Sequence, residues 1–76
     1  MMEEYDLVVL THDFEELELK SGDVGTVVLD HKENKAFEVE FATADGRTVA
    51  VLTLTVEDVR PMRQKEILHV REYAPA

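Results

Sequence analysis

Polar and apolar residues alternate most cleanly over Ala36–Ala42 (AFEVEFA). Phe37, Val39 and Phe41 point one way, Glu38 and Glu40 the other. Period two with one apolar side predicts a strand with one buried and one wet face. Tyr5–Thr11 (YDLVVLT) is apolar and β-branched without helical periodicity, and predicts a buried first strand. Val24–Asp30 predicts the second strand. Ser21-Gly22 makes the turn before it, and Gly25 just inside it marks a bulge or a close backbone approach. His12–Lys20 (HDFEELELK) breaks the pattern. It predicts a long loop or a single helical turn, with Phe14, Leu17 and Leu19 tucked inward. His31–Lys35 is polar and predicts a hairpin loop with Asn34 in left-handed geometry. Arg47–Thr55 (RTVAVLTLT) predicts the fourth strand, and Val56–Met62 a tight turn and a short last strand. Pro61 restricts that last strand to an edge. Five short strands at roughly 8–12-residue spacing predict one all-β domain, a small barrel or sandwich.

Asp45-Gly46 is a strong hairpin signal between the third and fourth strands, and the loop length decides the register. A two-residue loop sets Phe41 opposite Ala50, Val39 opposite Leu52 and Phe37 opposite Leu54. Val49 and Val51 then fall on the outer face. A three-residue loop Ala44–Gly46 with a glycine bulge turns Val49 and Val51 inward. Leu52 and Leu54 then face out unless a second bulge restores them. The first register is favoured because it buries the leucines. Residues 63–76 (RQKEILHVREYAPA) form a C-terminal extension. Ile67, Leu68, Val70 and Tyr73 predict an added strand over the outer face or at an edge, or a partner-binding segment that orders on contact.

The net charge of -9 is unevenly placed. Residues 1–60 hold 15 acidic and 5 basic residues; residues 61–76 hold 2 and 3. Lys and Arg that neutralise phosphates supply most nucleic-acid affinity, so an acidic body argues against nucleic acid and against anionic membranes. It favours a basic protein partner, or serves only solubility. The chain has no cysteine, which excludes disulfides and thiolate metal sites. The start, Met1-Met2-Glu3-Glu4, lacks the basic and apolar regions of a signal peptide, so a cytoplasmic protein is expected.

Gly22-Asp23-Val24-Gly25-Thr26-Val27-Val28 resembles the second strand of SH3-like barrels, including the KOW type. Four further stretches agree in order: Tyr5–Leu10, Phe37–Phe41, Asp45-Gly46-Arg47-Thr48 and Val59-Arg60-Pro61. Together they resemble a family of small bacterial proteins known as a domain of unknown function, over about residues 5–62. The resemblance implies a five-stranded SH3-like barrel over residues 1–62. Through neighbouring small genes it also implies a partner protein, as in toxin–antitoxin or immunity pairs. KOW relatives on ribosomes are basic and this body is not, so no functional residue carries over from them.

The residues themselves offer little chemistry. His12, His31 and His69 lie in separate segments without metal-ligand spacing, and His12 with Asp13 is only a pair. Ser21 precedes a turn glycine and lacks a nucleophile-elbow context. Gly22-x-x-Gly25 is too short for a phosphate loop, and Asp23 would repel phosphate. No enzyme, cofactor or metal is expected. The expected function is protein interaction, with His12, Asp13, Phe14, Glu15 and Glu16 of the first loop, and Glu38, Glu40, Val49 and Val51, as partner-binding residues. Each has a plainer role: Phe14 as a cap on the core, Glu38 and Glu40 as a solvated face. A homodimer through strand four, a KOW-like nucleic-acid barrel using the basic tail, and an accessory domain of an enzyme complex are the alternatives.

Overall fold

A computed structural model describes residues 2–73. Five strands, β1 (Leu7–Leu10), β2 (Val24–His31), β3 (Ala36–Ala42), β4 (Thr48–Thr55) and β5 (Val59–Pro61), form one antiparallel sheet in the order β4-β3-β2-β1-β5. The sheet is open. Its edges, β4 and β5, do not pair with each other among the described residues. The structure thus establishes the all-β, five-stranded class but not a closed barrel. No helix among the described residues is long and apolar enough to cross a membrane.

The sheet nonetheless curls around one core. Val8, Leu10 and Val59 from the β1–β5 side share an apolar cluster with Val27, Phe37, Val39, Phe41 and Leu54. A flat sheet would hold these strands too far apart to meet, so curvature is required. It is built into β2, where a bulge between Val27 and Leu29 shifts the pairing with β3. Leu19, Met2 and the partly buried Phe14, Leu17 and Tyr73 close the open side of the cluster.

The first strand is shorter than the sequence predicts. Tyr5 has φ 72°, which turns the chain out of extended geometry before Leu7. At the other end Thr11 leaves β1 and donates both its amide to Asp58 O (2.8 Å) and its hydroxyl to Glu57 O (2.7 Å). The His31–Lys35 connection is a hairpin loop with a 3-10 turn at Lys32–Asn34, and the left-handed residue is Lys35 (φ 55°), one position after Asn34.

The β3–β4 hairpin reconciles the two registers. Gly46 N–H donates to Thr43 O and Thr43 N–H to Arg47 O, both 2.9 Å, with Gly46 at φ 90°. This is the three-residue loop, whose last position needs the left-handed geometry glycine supplies. A second bulge, between Phe41 and Ala42, then restores Phe41↔Ala50, Val39↔Leu52 and Phe37↔Leu54. The register favoured from sequence therefore holds through β4, but Val49 is not on the outer face. The bulge turns it against the core, while Val51 stays outside and 51% exposed.

Met62 still donates its amide to Leu7 O (3.2 Å), but residues 63–73 form no added strand, and residues 74–76 of the expected extension lie outside the described residues. The tail is held by side chains instead. Arg60 donates Nη1 and Nη2 to the two carboxylate oxygens of Glu66 (2.9 and 2.6 Å), and Glu66 also accepts the Arg63 amide. Further on, Arg71 and Tyr73 reach back to the first loop and the start of β2.

Candidate protein-interaction surfaces

The first loop is a locked structure. Phe14 and Leu19 exchange backbone hydrogen bonds across its neck, 2.8 and 3.1 Å, enclosing a 3-10 turn at Glu15–Leu17. Glu18 leaves that turn at φ 58°. Asp13 accepts the Ser21 amide at 2.8 Å, and Phe14 packs against the core. The His12 ring stacks on Phe14, with centroids 4.7 Å apart. Its Nε2 lies 2.8 Å from Asp58 Oδ1 and its Nδ1 3.1 Å from Asp13 O. A carboxylate and a carbonyl can only accept, so both ring nitrogens are best satisfied as donors, in the imidazolium form. The Asp58 hydrogen bond, then the Asp13 carbonyl, accordingly hold the His12 pKa above its ordinary value. Burial pushes Asp58 up, but hydrogen bonds from His12 and Thr55 outweigh it and hold the carboxyl below its usual range. His12, Asp13 and Phe14 are thus engaged by contacts within the chain, although His12 and Asp13 are exposed, as are Glu15 and Glu16.

Glu38, Glu40 and Val51 meet on the outer face of the sheet. The pairing sets Leu7, Thr26, Glu40 and Val51 in one row and Leu29, Glu38 and Thr53 in the next. Leu7 (45%), Leu29 (44%) and Val51 (51%) are the exposed apolar side chains of these rows. The carboxylates between them are oriented. Glu38 Oε2 accepts from Thr53 Oγ1 and contacts His31 Nε2, both at 2.7 Å, and Thr48 Oγ1 donates to Glu40 Oε2 at 2.5 Å. The Thr53 and His31 bonds hold Glu38 below the ordinary carboxylate range. Both carboxylates are half-buried, and these bonds engage one oxygen of each. Two residues apart on one strand face, they stand about 7 Å from each other. Val49 lies apart from this group, on the core side.

The predicted partner-binding set therefore divides between the first loop and the outer face, with Val49 in neither. Four residues outside it are equally prominent: Asp58, Asp23, Arg71 and Tyr73. Asp58 meets His12 across 46 positions, which no local pattern reveals. Asp23 was visible in the Gly-Asp-x-Gly stretch, but not its partner. Among the described residues no three His, Asp or Glu side chains converge as a metal site.

No curated protein and no solved structure matches the chain. The family described as a domain of unknown function (DUF4926) matches residues 4–61, which span all five strands and stop before the tail. On that match the chain belongs to the DUF4926 family.

Proposed function

We propose that the protein is a non-enzymatic interaction module that docks a basic partner protein on the outer face of β2–β4, in the manner of an antitoxin or immunity protein occluding a basic cleft. One observation carries this reading. Glu38 and Glu40 are each held by a threonine hydroxyl on the outer face, in the same rows as the exposed Leu7, Leu29 and Val51. Apolar contact area combined with preorganised acceptors suits a surface that must desolvate against arginine and lysine. The net charge of -9 adds long-range attraction, and the exposed Glu15 and Glu16 contribute to it. Two basic groups of the 60–76 region, Arg60 and Arg71, are paired with carboxylates, which weakens the tail as a nucleic-acid contact. We further infer that the sheet is a bacterial SH3-like barrel working in the cytoplasm. The β2-β3-β4 meander, the long first loop and β5 beside β1 support that fold.

The test is an amide chemical-shift titration of the full chain with a synthetic Arg/Leu-rich amphipathic peptide, and separately with generic RNA and duplex DNA at low salt. Salt-sensitive shifts at Leu7, Leu29, Glu38, Glu40 and Val51 are expected with the peptide. The Glu38→Gln/Glu40→Gln variant should weaken binding on the order of tenfold, as two partly exposed ion pairs together contribute about 1.4 kcal/mol. Nucleic-acid binding with a steep salt slope, or peptide binding indifferent to that variant, would overturn the proposal.

A further inference from the structure

The two glycines of Gly22-Asp23-Val24-Gly25 frame an aspartate that the fold presents as an acceptor. The Lys20–Asp23 turn is closed by Asp23 N–H to Lys20 O (2.9 Å), and the Lys20 amide donates back to Asp23 Oδ2 (2.8 Å). Leu10 and Gly22 clamp the same turn to the end of β1. These bonds fix the carboxylate without any help from the tail. Two carbonyls stand beside it at the end of the first-loop 3-10 turn, those of Leu17 and Glu18. The Phe14–Leu19 bridge and the Asp13–Ser21 bond hold them in place.

The tail supplies the donors. Arg71 Nε and Nη2 lie 2.8 and 2.5 Å from the two oxygens of Asp23, Nη2 also reaches Glu18 O at 3.0 Å, and the Tyr73 hydroxyl donates to Leu17 O at 2.9 Å. Only a planar guanidinium can address both carboxylate oxygens side-on; a lysine ammonium cannot. The acceptors all lie within the family match at residues 4–61, and the donors all lie beyond it. The chain leading to Arg71 gains little from burial, since Ile67 and Val70 are 93% and 89% exposed. An open groove runs between the tail and the hairpin end, lined by Val24, Phe41, Ala42 and Val49.

We propose that Asp23 with the carbonyls of Leu17 and Glu18 forms an arginine-recognition site, which residues 71–73 fill in cis and which an arginine-bearing segment of a basic partner takes by displacing them. The inference rests on the reading above only for the partner's basic character. It assigns a second contact, on a different part of the surface. The tail then acts as a competitor that raises the threshold for weak partners, and its release uncovers the apolar groove.

The experiment uses the full chain and a fluorescent synthetic peptide of residues 64–73 as probe. The Arg71→Ala/Tyr73→Phe variant is expected to bind the probe on the order of tenfold more tightly than the unaltered chain, because the tail no longer competes at high effective concentration. A probe with citrulline in place of the arginine keeps shape and loses charge, and is expected not to bind. This arm leaves the protein untouched, so it does not depend on a variant folding. Equal affinity for both proteins, or citrulline binding as well as arginine, would overturn the proposal. So would a dimer that Arg71→Ala dissolves, which would place a second copy's tail in the site. Glu38→Gln/Glu40→Gln should leave probe affinity unchanged, so failure here is distinguishable from failure of the outer-face reading.

Discussion

Gly25→Ala tests the packing reasoning most directly. Gly25 pairs with Val8 in the middle of the sheet. A Cβ at this position would stand 2.7 Å from Val39 Cγ1, 2.8 Å from Phe41 Cε1 and 3.0 Å from Glu40 O. Carbon atoms attract best near 3.5–4.0 Å, so the methyl overlaps both side chains by most of an ångström. Neither can retreat easily, since Val39 is 0% and Phe41 2% exposed, and the third neighbour is backbone in a paired strand. Overpacking of this kind costs typically 1–3 kcal/mol, and with three rigid neighbours the upper end, about 3 kcal/mol, is expected. A chain of this length holds about 4–11 kcal/mol in all. The unfolded population should therefore rise by on the order of 100-fold. In urea, with a slope near 1–1.5 kcal/mol/M, the midpoint should fall by about 2–3 M. Gly46→Ala is the control. There a Cβ meets open space and only φ 90° resists it, so a cost of about 1 kcal/mol is expected. Equal costs for the two variants, or a Gly25→Ala midpoint shift below about 0.5 M, would refute the close-approach argument.

Three further outcomes follow from the geometry. Val49→Asp should destabilise by about 1–3 kcal/mol and Val51→Asp by less than about 0.5 kcal/mol in urea unfolding, because only Val49 is turned inward by the second bulge; the reverse order would place the bulge elsewhere. The raised His12 pKa stabilises the fold fully below the unfolded value near 6.5 and fades as pH rises through the folded value. Melting temperature should thus decline from pH 6 to pH 8 more in the unaltered chain than in His12→Ala, and parallel curves would dismiss the His12–Asp58 link. Glu66, lowered to about 2 chiefly by its hydrogen bonds from Arg60, contributes above its ordinary value near 4.5 and loses that contribution as pH falls toward 2. Carboxyl NMR should find Glu66 titrating near 2 and returning toward 4.5 in Arg60→Gln.

Much of the fold was legible because strand alternation is a local signal. Ala36–Ala42 reads as a strand from its period alone, and Pro61 sits on an edge strand because it has no amide to give. What stayed hidden was nonlocal or a matter of one residue. Tyr5 in left-handed geometry shortens β1, and nothing in its sequence context demands it. The β3–β4 register depended on whether a second bulge followed the glycine loop, and both halves of that choice are present at once. Of the proposed interaction residues, the shared outer face of Glu38, Glu40 and Val51 was legible because alternation places them together. His12 and Phe14 were legible as members of one loop, but the engagement of His12 by Asp58, 46 positions away, and of Phe14 by the core depends on tertiary packing.

The Gly-Asp-x-Gly stretch shows why a motif must be weighed with its distant neighbours. Read locally, Asp23 excludes phosphate, and Gly25 bends a strand. In the folded chain Gly25 is required because Val39 and Phe41 occupy the space a side chain would need. Asp23 is drawn down despite burial, which alone would raise it, because Arg71 and the Lys20 amide hold its charged form. The same turn that starts the central strand therefore orients an anion toward the outside. A tail lacking the arginine would leave that anion partly buried without its guanidinium, stabilised by the Lys20 amide but less well compensated. Members of the family that end near residue 61 and keep an aspartate at this position should need an external cation there. Transplanting residues 62–76 onto such a member should raise its melting temperature, and Asp23→Asn should erase the gain. A gain that survives Asp23→Asn would mean that the tail stabilises through Tyr73 and apolar contact alone, and that the arginine is incidental.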